Sequence, residues 1–127
     1  MSEQRRFSLA DRWSSVACAV RGAGDMLRSH HNARIHAVAT VAAVLAGTAC
    51  GLTATEWCFV MFSVTSVWMA EALNTSIEYL TDIASPTPHP LAGKAKDAAA
   101  AAVLIASLGA VVIGLLVFGP YLLDLLQ

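Results

Sequence analysis

A chain of 127 residues that is 57% hydrophobic and only 13% charged carries about half the charged share of an ordinary soluble domain, which is ~25%. One small domain cannot bury that much apolar surface, so lipid is expected to cover part of it. The net charge of −1 gives no bulk attraction to nucleic acid, and Cys18, Cys50 and Cys58 show neither metal spacing nor a disulfide framework.

Residues 1–6 are polar and are expected to form a disordered tail. Residues 7–127 then read as a single membrane domain. Arg5-Arg6-Phe7-Ser8-Leu9 is faintly like a twin-arginine signal, but no apolar stretch or cleavage site follows, so no cleaved signal is expected. Over residues 7–31, Phe7, Trp13, Val16, Ala17, Val20, Gly24 and Leu27 recur at helical spacing, with Arg12, Arg21 and Arg28 off that stripe. This predicts an amphipathic helix lying in the membrane interface.

The first span is predicted over residues 35–52, just long enough to cross a bilayer. His36 stands at its start, within reach of the headgroups. Residues 53–56 form a tight turn. The second span begins at Trp57, placed like an interfacial anchor, and continues through a polar extension to residue 84. Three prolines in Ser85-Pro-Thr-Pro-His-Pro90 make a stiff, extended loop. The third span is predicted over 97–123, with Asp97 as a candidate N-cap. Its alanine-rich start, Ala98 to Ala102, allows close helix approach. The fold expected is therefore all-α: three transmembrane helices and one interfacial helix.

All eight Lys and Arg residues lie before the first span or in the loop between the second and third. By the positive-inside rule, that loop and the N-terminal helix face the cytoplasm, and the site described next faces it too.

Glu71, Asn74, Glu78 and Asp82 are spaced three, four and four apart, which stacks them on one helix face. A carboxylate at the middle of a membrane helix costs roughly 2.5–3.5 kcal/mol on insertion scales, so such a row is expected to do something. Polar glue between helices is the plain alternative. Lys94, Lys96 and Asp97 open the third helix, and His30 and Arg34 end the basic N-terminal segment. Carboxylates, a cationic group and a buried base are the parts phosphoryl transfer needs. A proton or ion pathway fits the carboxylates equally well. Lys96 also reads as a snorkelling interface lysine, and His89 as a solvated loop histidine.

These residues carry a resemblance. Ala70-Glu-Ala-Leu-Asn-Thr-Ser-Ile-Glu-Tyr-Leu-Thr-Asp82 resembles the signature of the prokaryotic diacylglycerol kinase and undecaprenol kinase family, with Ser76 in place of the usual alanine. Ala95-Lys96-Asp97 and Asn32-Ala-Arg34-Ile-His36, with Arg21-Gly22 upstream, support it in order and distance. The resemblance implies transfer of the ATP γ-phosphate to a lipid alcohol, diacylglycerol in the first instance and undecaprenol as the alternative. It implies a homotrimer with shared active sites in the bacterial inner membrane. Glu71 is then the catalytic base, and Glu78 a ligand of the Mg²⁺ that travels with ATP. Lys96, Asp97 and His89 line the nucleotide, Asn74 supports the site, and Arg12 and Arg34 belong to substrate binding or support. Family members commonly carry a glutamate where this chain has His30. Imidazole can bind a metal but suits Mg²⁺ poorly, so either water and the phosphates fill the gap or His30 contacts the ATP phosphates directly. His30 is a candidate for both the metal and the nucleotide. The rival of another class is a non-catalytic membrane protein, acting as an ion pathway or a partner subunit.

Overall fold

The computed structural model describes residues 8–127; the expected tail over 1–6 and Phe7 lie outside the described residues. Four helices follow one another: α1 (Leu9–Ser29), α2 (His31–Cys50), α3 (Ala54–Ala84) and α4 (Pro90–Leu125). No strand occurs among the described residues, and the chain is an all-α membrane protein.

The join between α1 and α2 is a single residue. His30 is extended, at φ −110° and ψ 123°, and serves both as C-cap of α1 and as N-cap of α2. Arg34 locks this corner. Its Nε donates to the Leu27 carbonyl at 2.9 Å and its guanidinium also reaches the Arg28 carbonyl. A cation on the last carbonyls of a helix answers both its unpaired acceptors and its dipole.

Gly51 ends α2 in the left-handed region, at φ 68°. There it costs nothing sterically and closes a Schellman turn, with Leu52 N–H on the Gly47 carbonyl at 3.1 Å and Gly51 N–H on Thr48 at 3.3 Å. Trp57 folds back over Gly47 so closely that a Cβ there would meet the indole at 2.7 Å. Trp57 is thus half-buried between helices. It joins Leu52, Val60 and Val117 in the apolar cluster at this end.

The tight turn expected at 53–56 falls instead at 51–53: residues 54–56 are already the first turn of α3, which Thr53 closes as a capping box. Glu56 N–H donates to Thr53 Oγ1 and the Thr53 N–H donates back to Glu56 Oε2 at 2.8 Å. Tyr121 of α4 donates to the same oxygen at 2.9 Å. Thr53→Ala is expected to destabilise the protein by about 1 kcal/mol, read as a lower unfolding midpoint in detergent.

α4 begins seven residues earlier than the predicted span. Pro90 takes its first position, where a missing N–H is harmless, and His89 Nδ1 caps it by accepting from Leu91 N–H at 3.2 Å. Asp97 therefore lies inside the helix and does not cap it. Ser85 to His89 stays non-helical, as the prolines require.

Burial is inverted relative to a soluble protein. Val38, Leu45, Phe62, Leu104, Ile105 and Leu116 are all at least 60% exposed, while Ala33, Ser63, Glu71 and Asn74 are buried. Large aliphatics outside and small or polar groups inside are what a lipid solvent selects. α2 and α4 are long and apolar enough to cross a membrane. α3, at 31 residues, has ample length, and its polar row lowers its apolarity. The face α3 buries runs Val60, Ser63, Val67, Glu71, Asn74, spaced three, four, four and three. It passes from hydrocarbon contacts at one end to ionisable groups at the other.

Candidate functional site

Glu71 is the largest fully enclosed side chain among the described residues, at 1% exposure. Helical spacing puts it on the face of α3 that meets the other helices. Its Oε2 looks at Nε2 of His36 on α2, 3.8 Å away, a separation too long for a hydrogen bond. Both atoms lack a hydrogen-bond partner, as do Asn74 Oδ1 and Thr75 Oγ1 beside them. Buried polar atoms are nearly always paired. Four bare ones within little more than a helical turn of Glu71 mark a place built to meet a polar group.

One turn on from Asn74, Glu78 is only partly covered, with a third of its side chain exposed. Asn74 Nδ2 donates to its Oε1 at 2.9 Å, which fixes the amide and turns Oδ1 inward. The other carboxylate oxygen lies 3.6 Å from His30 Nδ1. His30 itself is held from behind. Its Nε2 meets the Tyr79 hydroxyl at 3.1 Å, and that hydroxyl donates to Asp25 Oδ2 at 2.8 Å. The phenol has one proton and Asp25 receives it, so His30 Nε2 is the donor to the phenol oxygen. Asp25 of α1, Tyr79 of α3 and the α1–α2 corner are thereby joined.

At the end of the row Asp82 bonds the Lys96 ammonium. The pair is substantially exposed, so it adds little stability. Its effect is positional: it ties the first turns of α4 to the last turn of α3 and sets a cation one turn beyond Glu78. Asp97 is exposed beside Lys96 and makes no hydrogen bond or ion pair among the described residues. His89 is committed to capping. Arg12 sits in the first turn of α1, about 27 Å along the helix from His30. Thus one chain brings together Glu71, Asn74, Glu78 and His30, with Lys96 adjacent. It does not bring Arg12, His89 or Asp97 against those carboxylates.

His36 was expected at the headgroups and instead faces inward. Its α2 face is Ala33, His36, Thr40, Ala43, Gly47, spaced three, four, three and four. That run of small and polar residues was the available signal. Thr40 marks the same face, since Trp68 Nε1 donates to its Oγ1 at 3.0 Å.

Two grooves run along α3, lined by residues near Glu71 in the chain. One, of about 370 Å³, lies between α2, α3 and α4, and His36, Thr40, Val64 and Val67 are among its walls. The other, of about 780 Å³, lies between α1 and α3 and is walled by Ala23, Met26, Trp68, Ala72 and Thr75 among others. Both are overwhelmingly apolar, so a hydrocarbon chain suits either.

Residues 17–118 match the family described as Prokaryotic diacylglycerol kinase. The chain is 36% identical over 121 residues to an undecaprenol kinase of Bacillus subtilis, covering 95% of this chain and 98% of that protein. It is 34% identical over 113 residues to a diacylglycerol kinase of Synechocystis, covering 88% of this chain and 65% of that protein. A buried glutamate over a half-open one agrees with a match along nearly the whole length, and the chain belongs to the prokaryotic diacylglycerol kinase family of lipid kinases.

Proposed function

We propose that this chain transfers the γ-phosphate of ATP to the hydroxyl of a membrane lipid alcohol, at the cytoplasmic face of a bacterial inner membrane. The observation that carries this is the pairing of enclosed Glu71 with half-open Glu78, seven residues on. One depth suits a lipid hydroxyl and the other suits a nucleotide arriving from water.

Glu71 takes the proton as the hydroxyl oxygen bonds to the γ-phosphorus. The bond from that phosphorus to the β,γ-bridging oxygen breaks, and ADP leaves. Such a reaction depends on positioning and charge neutralisation more than on covalent work by the protein. Lys96, held by Asp82, supplies positive charge near the phosphates. Asn74 orients Glu78.

The donor set fits an Mg²⁺ that comes with the nucleotide. That ion uses one or two carboxylates and lets phosphates and water fill the rest. Among the described residues no group of three His, Cys, Asp or Glu side chains could hold a metal unaided. Glu78 would hold the ion, which when bound neutralises phosphate charge. His30, facing Glu78 and held by Tyr79, acts on the same group or directly on the phosphates.

The α1–α3 groove, opening beside Ala72 and Thr75, receives the lipid chain. A homotrimer with sites shared between copies is carried over from the family resemblance alone. Undecaprenol is favoured as acceptor because the Bacillus protein aligns end to end. Diacylglycerol is the second reading, favoured by the family description and the Synechocystis relative.

The test is purified protein with γ-labelled ATP and both alcohols side by side. Label is expected in an extracted lipid phosphate, faster with undecaprenol. Equal or faster transfer to diacylglycerol reverses the acceptor preference. Transfer to neither, together with proton or ion flux in liposomes, replaces the kinase with a conduction role.

A further inference from the structure

Among the described residues, His36 is the titratable side chain that another helix presents to Glu71. The two facing atoms, Nε2 and Oε2, are 3.8 Å apart and both unpaired. The imidazole is 15% exposed and the carboxyl 1%. Leaving a buried donor and a buried acceptor bare is unfavourable for each. A closing movement of about 1 Å makes them a hydrogen bond. The backbone at His36 is already fixed to the helix carrying Glu71. Thr40 Oγ1 donates to the His36 carbonyl at 2.7 Å and accepts from Trp68 Nε1. The rest of the ring borders the α2–α3–α4 groove, whose other lining residues include no titratable group. No competing charge from that side draws the imidazole away.

We propose that His36 is a positioning residue for Glu71: its Nε2–H donates to Oε2 and aims the second carboxylate oxygen at the acceptor hydroxyl. This rests on Glu71 being the base. The hydroxyl proton goes to the free oxygen, the hydroxyl oxygen bonds to phosphorus, and ADP leaves. His36 holds Oε2 throughout and keeps the carboxyl from rotating away.

The experiment compares three variants of the full chain with the wild type, using ATP and the better lipid alcohol in mixed micelles. His36→Gln places an amide N–H about where Nε2 is. His36→Asn stops short of Glu71, and His36→Leu has no donor. His36→Asn and His36→Leu are expected to lower kcat about 100-fold, the effect of a ~1 Å misplacement of a reacting group, with KM for ATP within about twofold. His36→Gln is expected to recover most of kcat. A stabilising histidine with no bearing on the base would move the unfolding midpoint and leave kcat alone. If His36→Leu does not fold, the Gln and Asn variants decide, because both are polar and only one reaches. Equal kcat in those two overturns the proposal. Glu71→Gln is measured in parallel. If it is inactive while all His36 variants keep kcat, His36 alone is removed from the mechanism. If Glu71→Gln is active, the base assignment falls and the positioning role falls with it.

Discussion

Glu71→Gln is expected to abolish transfer, lowering kcat by about 10³-fold or more, because a positioned general base contributes ~10²–10⁴-fold. The substitution keeps size and shape and removes only the ability to accept a proton. Folding is expected to survive. The carboxyl is enclosed at 1% exposure, with one oxygen bare, so a neutral amide there relieves a desolvated charge. Circular dichroism and size-exclusion elution should match the wild type, and KM for ATP should change little. Activity within tenfold of wild type in a folded Glu71→Gln protein removes Glu71 from the chemistry.

The polar row of α3 was legible as a row, because helical spacing alone stacks Glu71, Asn74, Glu78 and Asp82 on one face. How deep each lies was not: the structure encloses Glu71 and Asn74, leaves Glu78 a third exposed and leaves Asp82 largely open. Helix identity was legible through apolar runs and the proline loop, whereas the first span, expected to run on to residue 52, stops at Cys50 because Gly51 ends α2 there. What escaped were features that depend on how helices turn towards one another. His36 looked like a headgroup residue because its place in the sequence is near the start of a span. Its actual surroundings follow from the rotation of α2, which the small-residue face Ala33, Thr40, Ala43, Gly47 encodes only collectively. The start of α4 escaped because proline is ambiguous. The same residue that stops one helix can open the next, and Pro90 does the latter. The link from Asp25 through Tyr79 to His30 joins residues 54 and 49 positions apart and has no local signature.

Glu78→Gln is expected to act differently from Glu71→Gln. The amide oxygen can still accept from Asn74 Nδ2, so the local scaffold persists. The lost element is the negative charge that would hold Mg²⁺ with the nucleotide. Because a third of the Glu78 side chain is exposed, losing its charge leaves no large buried imbalance and stability should barely change. kcat/KM for ATP is expected to fall on the order of 100-fold, equivalent to about 2.7 kcal/mol, with much of the loss in KM and partial recovery at high Mg²⁺. That pattern follows from a hard cation preferring carboxylate oxygen over amide oxygen. The two glutamates then separate kinetically: the enclosed one governs kcat, and the half-open one governs nucleotide affinity and its dependence on metal. Titrating both variants with Mg²⁺ at fixed ATP checks this directly. If Glu78→Gln instead loses kcat with KM unmoved and no response to Mg²⁺, the half-open carboxylate is acting on the reacting atoms and the division of roles along α3 must be redrawn.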